Sequence, residues 1–160
     1  GASQEIYDSI IRFKETSKKP VVVSIMDIGA SGAYWVSLAA DSIFAHSGSI
    51  VGSIGVITQT MDLTKVHDKY GIGVRTYKSG DNKDLLNPWR GTTKEESKII
   101  QAMLDNVHQQ FKDVLIKHRG ISKDQASEKI KQNDLPNSDL VENLSMPADL
   151  YVQPTFQKLA

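Results

Sequence analysis

The 160-residue chain contains no cysteine. That excludes a disulfide framework, a thiolate zinc site and a cysteine nucleophile. Net charge is also missing, since 19 Lys and Arg balance 19 Asp and Glu. A nucleic-acid binder normally carries a basic face, so this balance argues against that class. No run of about 18 apolar residues is present, so no membrane-spanning helix is read in the sequence. No secretory leader pattern is visible at the first residues. There is no P-loop and no His, Asp and Glu cluster at metal spacing, so neither a nucleotide nor a metal cofactor is expected. Internal repeats and low-complexity tracts are absent as well.

What is present suffices for one domain: 39% of residues are apolar. "SQEIYDSIIRF" places Ile6, Tyr7, Ile10, Ile11 and Phe13 at helical spacing, with Ser3 as the expected N-cap. "KKPVVVSIM" follows and reads as a buried strand. A short helix is expected from Gly32 to Ala40, then strands in "SIFAH", "VGSIGVITQ" and "VRTYKSG", with a helix in "MDLTKVHDKYG" closed by Gly71. The longest helix is read in "TTKEESKIIQAMLDNVHQQFKDVLIKHRG". Thr92 with Glu95, or Thr93 with Glu96, supplies its capping box. Ile99, Ile100, Met103, Leu104, Val107, Phe111, Val114 and Leu115 supply its apolar stripe, and Gly120 its end. A further helix starts in "SKDQASEKIK", with Ser122 and Gln125 as a second box. Beyond Gln132 prolines interrupt the pattern and only a strand near "DLYVQ" is read. Strands alternating with helices imply an α/β layer fold.

The stretch Gly29-Ala30-Ser31-Gly32-Ala33 joins the first strand to the short helix. A serine there is usually an N-cap. The same position also suits a nucleophile, because small neighbours let the backbone bend tightly and admit substrate, while free helix N–H groups stabilise an oxyanion. The spacing is not that of the G-x-S-x-G elbow. Serine needs an adjacent base. His67, His108 and His118 fall in or near amphipathic helices, whereas His46 follows a strand and remains open as a base. Lysine serves as a base when burial lowers its pKa toward neutrality. Lys83, in "KSGDNKDLLNP", follows an expected strand, and its ordinary reading is a surface loop lysine.

"GASGAYWVSLAADSIFAHSGSIVGSIGVI" followed by "YKSGDNKDLLNPWRGTTKEE" resembles the signal peptide peptidase A family, serine–lysine peptidases with a ClpP/crotonase-like layered fold. The resemblance joins the small-Ser-Gly-small-Tyr turn, the Ala-Ala-Asp after it, the Gly-Ser-Ile-Gly-Val segment and the Lys-Ser-Gly…Lys-Asp segment, in order, across Gly1 to Ile121. It implies Ser31 as nucleophile, Lys83 as general base, Ser53 as the hydroxyl that orients the lysine, and the Gly32 N–H as an oxyanion donor. The implied reaction forms an acyl-enzyme, needs no cofactor, and degrades cleaved signal peptides and other hydrophobic peptides. The family also implies a homo-oligomer in which neighbouring subunits can share a site, and membrane association on the extracytoplasmic face through a segment outside this chain.

On this reading residues 1–160 form one peptidase domain, well matched over 1–121 and uncertain over 122–160. The family has a Gly-Gly segment before the first helix, and the chain opens at its tail, so a truncated N-terminus is expected. "NDLPNSDLVENL" echoes only the end of the family's C-terminal run, so an atypical C-terminus is expected. A catalytically inactive assembly or binding module and another ClpP-like enzyme are the alternatives. A lysine base implies activity rising from neutral to alkaline pH, whereas a base at His46 implies a plateau at about pH 6.

Overall fold

The computed structural model describes residues 1–132 and 142–143. They fall into two compact units, one of Gly1–Ile54 with the chain from Lys112 on, the other of Gly55–Phe111. Both belong to a mixed α/β chain with small parallel sheets.

The first unit opens with α1 (Ala2–Ser17) and continues through β1 (Val22–Ile25), β2 (Ile28–Ala30), α2 (Gly32–Ser37), β3 (Ser42–Ala45) and β4 (Ile50–Gly52). Two short parallel sheets result. In one, β1 pairs with β3, Val22 opposite Ser42 and Ile25 opposite Ala45. In the other, β2 pairs with β4, Ile28 opposite Ile50 and Ala30 opposite Gly52. Parallel neighbours require a crossover, and α2 supplies it between β1 and β3. α1 packs on α2. The core holds Tyr34, Leu38, Ile43 and Leu115, all essentially without solvent contact.

Polar groups fix how these pieces join. Buried Ser49 donates to the carbonyls of Ile25 (3.1 Å) and Met26 (2.7 Å), holding the chain where it leaves β1 for β2. Asp41 accepts the Val21 N–H at 2.8 Å and the Lys14 ammonium at 2.8 Å, joining the start of β1, the segment after α2 and the last turn of α1. Those bonds, the Lys14 contact first, hold its carboxyl below the ordinary range. Tyr7 in α1 shares a hydrogen bond with His118 near the end of α4 (Lys94–Arg119). Beyond it, α5 (Lys123–Gln132) follows, and β5 (Glu142–Asn143) extends the first sheet beside β3.

The second unit contains α3 (Thr64–Tyr70), closed by Gly71 in the left-handed conformation, and the opening turns of α4. The Thr93–Glu96 pair forms the capping box of α4, not Thr92–Glu95: the Thr93 N–H donates to Glu96 Oε2 at 2.9 Å and the Glu96 N–H to Thr93 Oγ1 at 3.1 Å.

Several expectations are corrected. Ser3 does not cap α1; the helix starts two residues earlier than that cap implies, at Ala2, with Gly1 at the cap. Ile6 and Phe13 remain 51% exposed, so Tyr7 alone of the five apolar positions is buried. β1 is not fully buried, as Val22 is 59% exposed. The strand expected through "VGSIGVITQ" stops at Gly52, and "VRTYKSG" forms none. Those Val, Ile and Tyr residues find no ladder partner among the described residues, and β-propensity without pairing and burial does not make a strand. The stripe on α4 is covered only toward its end: Phe111 and Leu115 are buried, whereas Met103 is 61% exposed. The strand near "DLYVQ" and the side chain of Gln125 lie outside the described residues. No helix among the described residues is long and apolar enough to cross a membrane.

Candidate active site

Ser31 stands at the N-cap position of α2 yet does no capping, for its side chain makes no cap hydrogen bond. Its backbone lies at φ 53°, ψ −121°. These dihedrals are those of the first central position of a type II′ turn, a region dominated by glycine. A serine there stores on the order of 1–3 kcal/mol of strain and persists only where the surroundings over-determine it.

Those surroundings are identifiable. The Ser31 N–H donates to the Gly52 carbonyl at 2.7 Å, continuing the β2–β4 pairing by one residue. The Ser31 carbonyl accepts the Trp35 N–H at 2.9 Å, which starts α2. Gly29 and Gly32 lie close against neighbouring side chains. A Cβ on Gly29 would lie 2.5 Å from Ile25 Cδ1, and one on Gly32 would lie 2.5 Å from Ser3 Oγ. The Ser31 side chain is exposed at the crest of this bend. Gly32, the first helical residue, has an N–H with no partner earlier in the helix.

Ser53 is brought next to this turn by the backbone. It follows Gly52, the residue whose carbonyl takes the Ser31 N–H, and both Gly52 (φ 84°) and Ser53 (φ 51°) have positive φ. Ser53 is exposed. Ser31, Gly32 and Ser53 thus share the first unit, while Lys83 belongs to the second.

Lys83 sits in a turn over residues 81–86, where its N–H donates to the Gly80 carbonyl at 3.3 Å. Its side chain is exposed and makes no hydrogen bond among the described residues. The next residue, Asp84, is bound on every side. It accepts from Arg90 Nε at 2.7 Å, Arg90 Nη2 at 2.8 Å and Lys78 Nζ at 2.7 Å. Arg90 reaches on to the Glu96 carboxylate, with Nη1 to Oε2 at 2.9 Å and Nη2 to Oε1. Glu96 is 4% exposed although charged. Arg90, then the Thr93 N–H, draws its carboxyl down to about 2. Arg90 and then Lys78 hold the Asp84 carboxyl far below the ordinary carboxylate range. An open cavity of about 330 Å³ lies over Lys78, Asp84 and Arg90, with His67 and Trp89 on its wall.

His46, the competing base, is exposed, and His118 is engaged with Tyr7. Burial, then the charges of Lys117 and Lys14, lowers His118 below its ordinary value. No group of three His, Asp or Glu among the described residues could hold a metal ion. The ion-pair cluster was not read from the sequence. Its one sequence signal is the capping box, which fixes Glu96 but gives no hint that Arg90 folds back onto it.

The family model for peptidase family S49 matches residues 13–139. The chain is 45% identical over 105 residues to a protein of Methanocaldococcus jannaschii named "Putative protease", covering 66% of this chain and 34% of the relative. It is 32% identical over 143 residues to a "Putative signal peptide peptidase" of Enterococcus faecium, covering 86% of this chain and 42% of the relative. Similarity to a chloroplastic serine protease of Arabidopsis thaliana is 32% over 128 residues, covering 79% of this chain and 19% of the relative. The chain thus spans less than half the length of each of these relatives.

Proposed function

The chain belongs to peptidase family S49, and from that premise we propose that it carries the nucleophile and base of a serine–lysine peptidase. The observation that supports this most is the Ser31 backbone at φ 53°, ψ −121°, a strained bend that frees the hydroxyl from capping.

In the proposed reaction a neutral Lys83 amine takes the proton of Ser31 Oγ as the oxygen attacks a peptide carbonyl. The Gly32 N–H donates a hydrogen bond to the developing oxyanion. Collapse breaks the C–N bond, and the lysine returns its proton to the leaving amine. The acyl-enzyme is then hydrolysed by a water that the same amine deprotonates. Ser53 orients that amine through its hydroxyl.

A lysine serves as a base where burial lowers its pKa toward neutrality, and the Lys83 side chain is exposed. The base role therefore calls for cover from a neighbouring subunit or from bound peptide, in keeping with a homo-oligomer whose subunits share sites. The substrates proposed are hydrophobic peptides, cleaved signal peptides among them, bound extended beside a strand. A ClpP/crotonase-like layering, and membrane association on the extracytoplasmic face through a segment outside this chain, complete the proposal.

The test is to replace Ser31 and Lys83 separately by Ala in the intact protein and follow cleavage of a hydrophobic peptide. Each change is expected to abolish turnover, and the unsubstituted protein to gain activity from neutral to alkaline pH. Unchanged turnover in both variants would leave an assembly module in place of a peptidase.

A further inference from the structure

Among the described residues the Lys83 side chain makes no hydrogen bond or ion pair that would set its place. Something else must, if it is to meet a hydroxyl with hydrogen-bond accuracy. We propose that Asp84, Arg90 and Glu96 are positioning residues, a clamp that fixes the Lys83 turn and balances the charge around it. The inference rests on the serine–lysine reading above and adds to it the residues that place the base.

The clamp starts from a firm root. Glu96 lies in the first turn of α4 and is locked by its reciprocal bonds with Thr93. From there Arg90 spans two carboxylates, donating through Nε and Nη2 to Asp84 and through Nη1 and Nη2 to Glu96. Only a planar guanidinium presents donors in such a fork; an ammonium is a point charge. Arg90 Nη2 also donates to the Asp84 carbonyl at 3.2 Å, so the backbone beside Lys83 is held together with the side chain. On the other flank Lys78 donates to Asp84 Oδ1 and, at 2.8 Å, to the Asp81 carbonyl. The segment from Asp81 to Asp84 is therefore gripped at both ends, with Lys83 between.

Two further features make this more than a stabilised loop. Leu86 lies at φ 62°, a conformation a branched residue adopts only under constraint. The Asn87 N–H to Asp84 carbonyl bond (3.2 Å) and the Thr60 hydroxyl on the Leu86 carbonyl (2.9 Å) hold it there. A capping box alone would need none of this. The charges also cancel: Lys78 and Arg90 against Asp84 and Glu96, two of each sign. An unbalanced Asp84 carboxylate beside Lys83 would favour the protonated amine and oppose its use as a base. Among the described residues Asp81 lies within the same turn, and His67 lines the cavity over Asp84 and Arg90.

The experiment compares Arg90→Lys, Arg90→Ala, Asp84→Asn and Glu96→Gln with Ser31→Ala and Lys83→Ala in the intact protein, over a range of pH. Misplacing the base is expected to lower kcat roughly ten- to a hundredfold in Arg90→Lys and Arg90→Ala, with KM little changed. In Arg90→Ala the rise of activity with pH should also move to higher pH, because Asp84 keeps its charge and loses its larger partner. Adding Asp84→Asn to Arg90→Ala should bring that rise back without restoring kcat. If Arg90→Ala fails to fold, Arg90→Lys and Glu96→Gln decide the matter through kcat. Wild-type kcat and pH profile in folded clamp variants, beside an inactive Lys83→Ala, would overturn the clamp alone. Full turnover in Lys83→Ala would instead remove the lysine base and the clamp's catalytic meaning with it.

Discussion

The Ser31 bend and the Lys83 turn solve one problem, holding an exposed side chain in place, by opposite means. Around Ser31 the backbone does the holding. A ladder bond to Gly52, the first bond of α2 and two close-packed glycines leave the chain no other path. No charged side chain takes part. Around Lys83 charged side chains do the holding, through two cations and two carboxylates that bind one another and the intervening carbonyls. The first arrangement is indifferent to pH and tolerates no added volume. The second tolerates volume but depends on ionisation and on the shape of a guanidinium. This division fits the chemistry proposed: a nucleophile must be rigid, while a base must be placed without being charged by its neighbours.

The contrast can be broken most forcefully at Ser31. Ser31→Ala is expected to lower peptide hydrolysis by roughly three orders of magnitude or more. Ser31→Gly should be equally inactive yet more stable by about 1 kcal/mol, since glycine adopts φ 53° freely. Thermal unfolding of both variants beside peptide turnover checks this, and a Gly variant no more stable than Ala would deny the strain.

Added volume comes next. Gly29→Ala drives a Cβ into the Ile25 side chain and should destabilise by about 1–3 kcal/mol in urea titrations. Gly32→Ala meets only the Ser3 hydroxyl, so its effect should be smaller and largely relieved by adding Ser3→Ala. Failure of that rescue would mean the turn is crowded by something other than α1.

Acid probes the other side of the comparison. Glu96 falls from an ordinary 4.5 to about 2, and Asp84 is lowered as well. Their contribution is present above the ordinary carboxylate range and is lost as pH falls through the folded values. Amide exchange, corrected for its intrinsic pH dependence, should therefore quicken over residues 80–90 between pH 4.5 and about 2 before it does over 28–34. Simultaneous loosening of both stretches would erase the distinction.

The smallest effect concerns His118. Burial lowers it from 6.5, so the folded chain favours the neutral ring and the unfolded chain takes up a proton first. Its contribution is present above that value and declines as pH falls through the folded one. His118→Gln should flatten the dependence of stability on pH below 6.5, as urea titrations at several pH values would show.

Much of the local structure was legible in the sequence. Small residues around Ser31 announced the bend, Gly71 and Gly120 announced helix ends, and Thr93 with Glu96 announced the start of α4. Each signal acts within a few residues, where steric rules need no tertiary context. Pairing was less legible. β5 joins β3 across about a hundred residues of sequence, and nothing local in Glu142–Asn143 marks it. Ile57 and Tyr77 carry β-propensity but stand 77% and 90% exposed outside any strand. At the site, the bend at Ser31 follows from its small neighbours, whereas Ser53 was implied only by the family resemblance and comes beside Ser31 only through the β2–β4 pairing. The clamp was not legible, because it exists only once Arg90 turns back on Asp84 and forward to Glu96.

The Ser3 hydroxyl beneath Gly32 makes the opening turn of α1 a floor for the bend at Ser31. A change of volume in that opening turn is therefore expected to reach the Ser31 bend from beneath, through Gly32.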